Sequence, residues 1–155
     1  MAFSAEALSG KCVGARDKPH LHRVAARLFM WSTILTALFT LAYGFGSRLF
    51  ASILAPQPEL LVRIDTLRIW IALIPAASFA AFIFDGLYIG LTATRAMLVA
   101  TGAATAIFFA ISLLTPSFAG LDANSSLWIA FLLYLFARGL FLGIRYPAEL
   151  RTVFR

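Results

Sequence analysis

Residues 68–95 read RIWIALIPAASFAAFIFDGLYIGLTATR. Between Arg68 and Arg95 lie 26 residues with a single charge, Asp85. At about 1.5 Å per residue, a helix of that length reaches roughly 39 Å, against about 30 Å of hydrocarbon in a bilayer. Apolar residues fall on every face, without the alternation over about ten positions that a barrel strand requires. Alanine, glycine and serine are interspersed among the large residues, as helices packed within lipid prefer. The stretch reads as a membrane-spanning helix. Pro75 sits inside it, where membrane helices tolerate proline with a kink and a freed carbonyl.

Three further runs have the same character. LFMWSTILTALFTLAYGFGS stands between Arg27 and Arg48, residues 96–121 carry no charge, and Leu127 to Ile144 contains only Arg138. Four membrane helices are expected, at about 28–47, 68–92, 96–115 and 126–145. Ala55-Pro56-Gln57-Pro58-Glu59 breaks the chain after the first, and the second begins early, within Leu60 to Thr66. Thr115-Pro116 closes the third, residues 117–126 form a polar loop, and Pro147 follows the fourth. Residues 1–15 are too short and interrupted to span. They read as the end of a truncated helix, stopped by Gly14 and the Arg16–Pro19 segment. The expected organisation is that helix end at 1–15, a basic cytoplasmic loop at 16–27, a four-helix membrane domain at 28–147 and a cytoplasmic tail at 148–155.

Composition supports the bilayer. The 155 residues are 61% apolar and 13% charged, against roughly 45–50% and 25% in soluble domains. The net charge of +6 comes from residues flanking the apolar runs, not from a stripe along one face, so nucleic acid is rejected as a partner. One cysteine and two histidines leave no disulfide framework and no reason to expect a metal site. No phosphate loop, nucleophile elbow or paired carboxylate set occurs, and the chain is not expected to be an enzyme. Nine lysines and arginines flank the spans on the side of the termini and three on the other. The positive-inside rule then puts both ends in the cytoplasm of a cell whose inner membrane the chain crosses.

AEALSGKCVGARDKPHLHR at 5–23, FIFDGLYIGLTATRAM at 82–97 and SLWIAFLLYLFARGLFLGIRYP at 126–147 resemble, in order and spacing, the C-terminal part of multidrug and toxic compound extrusion (MATE) transporters, in the branch like DNA-damage-inducible protein F (DinF). The resemblance covers almost the whole chain. It implies two six-helix lobes around a central cavity. The chain would hold the end of helix eight and helices nine to twelve, part of the C-terminal lobe. It also implies export of amphiphilic or cationic compounds, driven by a proton or sodium gradient and needing no cofactor. Partners would be the bilayer and the missing first lobe or another transporter subunit. On that reading the chain is a fragment, inactive alone. The alternative is a small four-helix membrane protein that oligomerises or stabilises a partner and does not transport.

The site candidates follow from the cost of charge in lipid. A carboxylate within a span costs several kcal/mol unless paired, protonated or wetted. Asp85 is either a protonatable or counter-ion site, or a structural ion pair near the cytoplasmic end. Arg138 either pairs within the bundle or carries its guanidinium to the interface along its stem. On helices two and four both charges precede the inner boundary by about 10–15 Å, so they are expected at similar depth and paired. Glu6, in the first helix end, is a solvated residue or faces a cavity in a complete transporter. Gly86-x-x-x-Gly90 permits close helix approach.

Overall fold

The computed structural model describes residues 1–54, 58–119 and 123–154. The expected break at 55–57 and the centre of the polar loop at 120–122 lie outside them. The side chains of Arg48 and Arg63, two of the three cations expected opposite the termini, are also outside the described set. Every described element is a helix: α1 (Ala2–Gly14), α2 (Lys18–Leu54), α3 (Pro58–Gly90), α4 (Thr94–Ala119) and α5 (Ala123–Val153). Four of these contain segments long and apolar enough to cross a membrane, Lys18–Gly46, Leu67–Gly90, Thr94–Leu114 and Asn124–Val153. The chain is an all-α, multi-pass membrane protein.

Helix α3 is the centre of the bundle, packed against α1, α2 and α5, and α4 rests mainly on α5. The core lies at one end. Cys12, Leu21, Leu91 and Leu150 are almost wholly buried in a single cluster. This joins the end of α1, the start of α2, the end of α3 and the end of α5. Lys11, Arg16, Lys18, Arg23, Arg95, Arg145 and Arg151 flank those segments, so they gather at the same end of the molecule. Toward the other end, Met30, Ile34, Leu38, Leu41 and Phe45 form an exposed apolar stripe on α2. Such a stripe suits acyl chains.

Both described interhelical turns use one device. Arg16 has φ 53° and Thr92 φ 56°. At the first turn, the amides of Arg16 and Asp17 donate to the carbonyls of Val13 and Cys12, both at 3.0 Å. At the second, Thr92 donates to Ile89 at 2.9 Å and Ala93 to Tyr88 at 3.0 Å. These paired bonds close a helix through one left-handed residue, a place that glycine usually takes. Here an arginine and a β-branched threonine are held there instead.

Several expected boundaries are corrected. The basic segment at 16–27 is not a loop, because α2 begins at Lys18. Asp17 caps it, its carboxylate accepting the His20 amide at 2.9 Å. Pro19 is harmless in a first turn, whose amides have no helical acceptor. Leu21, Ala25 and Leu28 are buried at helical spacing while Arg23 and Arg27 face outward. Helix α4 continues through Thr115-Pro116 to Ala119, and α5 starts at Ala123, which shortens the expected polar loop. Helix α5 also runs through Pro147 to Val153. That proline leaves the Gly143 carbonyl without its helical donor. Burying Leu150 and packing Val153 and Phe154 against the core favour continuation nonetheless.

Candidate functional site

Helix α3 presents a different surface to each neighbour around Asp85. Toward α1 it offers Gly86 and Gly90. A methyl group built at Gly86 would collide with the Ala2 carbonyl and lie 2.8 Å from the Ala5 Cβ. At Gly90 it would collide with the Ser9 hydroxyl and lie 2.6 Å from the Glu6 carbonyl oxygen. The two backbones therefore approach more closely than any side chain on α3 would allow. Ser9 is fully buried there, its hydroxyl donating to the Ala5 carbonyl at 2.6 Å and to the Glu6 carbonyl at 3.1 Å.

Toward α5 the small residues belong to the partner. A Cβ at Gly139 would lie 3.0 Å from the Ala81 backbone nitrogen, and one at Gly143 would lie 3.2 Å from the Phe84 ring. One helical turn apart on the same interface stand two polar contacts. Arg138 Nη2 donates to Asp85 Oδ1 at 3.0 Å, with side chains 22% and 15% exposed. The Tyr88 hydroxyl, wholly buried, donates to the Leu142 carbonyl at 2.7 Å. Around Tyr88 the rings of Phe84 and Tyr146 touch, and Phe29 of α2 meets Phe84 with centroids 5.0 Å apart. Beside the pair, Ala76, Ala80, Gly139 and Gly143 line a groove of about 380 Å³ that Phe84 and Phe136 also border.

The structure thus brings Asp85 and Arg138 together at one level of the bundle. Arg138 keeps a spare donor, because its buried Nε has no partner among the described residues. Glu6 does not join them through its carboxylate. It contributes its backbone carbonyl to the Gly90 contact. Pro75 lies within α3, just before the groove. Sequence reasoning missed Tyr88, Ser9, Gly139 and Gly143. A signal was present: a glycine pair four apart recurs at 10 and 14, 86 and 90, and 139 and 143, near the same end of α1, α3 and α5. The residues just before these pairs are Ser9, Asp85 and Arg138, which with Tyr88 supply the polar contacts of the two interfaces. Among the described residues no cluster of histidine, cysteine, aspartate and glutamate is arranged to hold a metal.

The MatE family model matches residues 1–114, which include α1, α2, α3 and the spanning part of α4. The chain belongs to the MatE family. Asp85, Gly86 and Gly90 fall within the matched stretch, and Arg138 lies beyond it. The MatE chain is also similar to DNA damage-inducible protein F of Escherichia coli (strain K12), at 32% identity over 143 residues. That alignment covers 92% of this chain and 30% of the length of the relative. No solved structure matches significantly.

Proposed function

We propose that the chain supplies the last helices of the C-terminal lobe of a MATE transporter, which exports amphiphilic or cationic compounds against a proton or sodium gradient. The observation that carries this reading is the alignment of 92% of the chain with 30% of DNA damage-inducible protein F. On it, the chain acts with the remainder of a transporter and has no export activity alone. Alternating access needs two repeats that rock about a site between them, and five helices provide part of one. The Asp85–Arg138 pair serves chiefly to set how α3 docks on α5. Transport chemistry at Asp85 is secondary to that role. The family is one of transporters, and no enzymatic step is assigned. The basic end faces the cytoplasm, which places both termini there in an inner-membrane protein.

Reconstitution tests the proposal. The purified chain in liposomes under an imposed proton or sodium gradient should export a fluorescent amphiphilic cation no faster than empty liposomes. Co-reconstitution with a polypeptide carrying the remaining helices of a DinF-like relative should give gradient-dependent export. Export by the chain alone would overturn the reading. Failure of the combined preparation, with both parts folded, would favour a small non-transporting membrane protein instead.

A further inference from the structure

The basic end holds a cleft unlike the apolar grooves elsewhere in the bundle. About 420 Å³ in volume, it is walled by Thr92 of the α3–α4 turn, by Thr94 and Arg95 at the start of α4, by Val99 one turn further, and by Arg145 and Glu149 of α5. Two guanidinium groups from different helices thus face one space. Neither has an ion-pair partner among the described residues, although Arg145 and Glu149 stand four apart on one helix, where pairing is easy. The first-turn residues Thr94, Arg95 and Ala96 line the same space, and no side chain or earlier carbonyl among the described residues takes their amides. Arginine forks and unspent amides share one preference, for oxygen atoms carrying negative charge.

Depth in the membrane narrows the choice of anion. By length and composition the apolar segment of α3 runs to Gly90 and that of α4 from Thr94, and arginines that flank such segments belong at the level of the head groups. Val99 of its wall and the adjacent Leu98 are 54% and 75% exposed. A free anion has no use for that apolar wall, and a lipid does. We propose that the cleft binds an anionic phospholipid. Arg95, Arg145 and the α4 amides take the phosphate oxygens, and an acyl chain lies along Leu98 and Val99. Basic pockets between membrane helices recognise lipid head groups by this combination of charge and depth. Glu149 at the rim opposes the anion and limits the affinity.

The test uses the full chain in a neutral maltoside detergent, where no charged bilayer surface contributes. Short-chain phosphatidylglycerol, phosphatidylcholine and inorganic phosphate are titrated, with retained lipid read by native mass spectrometry and stabilisation by thermal shift. Phosphatidylglycerol should bind at least about tenfold more tightly than phosphatidylcholine, since both carry a phosphate but the choline cation of the latter cancels its charge and is repelled by the two arginines. Arg95→Gln with Arg145→Gln should abolish that preference. Arg23→Gln with Arg27→Gln, which removes equal charge from the exposed face of α2, should leave it within about twofold. Glu149→Gln keeps both arginines and should tighten phosphatidylglycerol binding, so the idea stays testable if the double arginine variant fails to fold. Equal loss in the α2 control, no preference over phosphatidylcholine, displacement by equimolar inorganic phosphate, or unchanged binding by Glu149→Gln would each overturn it.

Discussion

Replacing Gly90 by alanine adds one methyl group, and the structure dictates where it goes. It would meet the Ser9 hydroxyl, the Glu6 carbonyl oxygen at 2.6 Å and the Gly10 nitrogen at 2.8 Å. The serine can rotate, but the other two atoms are backbone. Ordinary contact begins near 3.4 Å, so α1 must retreat by more than half an ångström. A gap of about 0.5–1 Å forfeits a quarter to a half of each pairwise dispersion well along the interface. Overpacking of this kind costs about 1–3 kcal/mol. Alanine's better helix propensity returns about 1 kcal/mol, which leaves a net loss of about 0–2 kcal/mol. Gly102 is the matched control, since a Cβ there meets nothing within 4 Å. Gly102→Ala should therefore stabilise, by up to about 1 kcal/mol. Both variants are measured by reversible unfolding in bicelles, with a disulfide between engineered cysteines on α1 and α3 reporting docking. Equal effects of the same sign at Gly90 and Gly102 would refute the close-approach argument. So would undiminished cross-linking in Gly90→Ala.

The ion pair should show coupling. Arg138→Ala or Asp85→Asn alone should cost about 1–3 kcal/mol, and the double variant clearly less than their sum, because each single change strands a partly buried partner; additive losses in a double-mutant cycle would end the argument. Tyr88→Phe should cost about 1 kcal/mol in the same unfolding assay, through its bond to the Leu142 carbonyl. Leu150→Ala should cost about 2–4 kcal/mol and increase amide exchange beyond Pro147, since burial of Leu150 opposes the break that the proline invites. In spheroplasts, cysteines placed at Ser125 and Arg151 should label from opposite sides of the membrane. Native Cys12 should stay silent at neutral pH, because it is buried and burial pushes its thiol up, followed in effect by the nearby Asp17, which leaves little thiolate.

The existence of the four spans was legible because hydrocarbon imposes a length and a composition that can be counted along the chain. Depth was legible for the same reason. The spacing of Asp85 from Arg95 and of Arg138 from Arg145 put both charges at one level before any packing was known. Helix ends were less legible. Pro147 and the basic 16–27 segment carry the local marks of a stop and a loop, and burial of Leu150, Leu21 and Ala25 overrides both. The left-handed turns at Arg16 and Thr92 had no glycine to announce them.

Facing belongs to the tertiary structure alone. A chain apolar on every side does not state which side meets a neighbour, so the sequence could place Gly86 and Asp85 on one helix without saying which neighbour each would meet. Packing resolved it. The closest approach of α1 takes the Gly86–Gly90 surface, and what remains turns Asp85 and Tyr88 toward α5. Length and polarity are properties of the chain against its solvent, and one sequence determines them. Orientation is a property of two surfaces that must interdigitate, and only the assembled helices decide it.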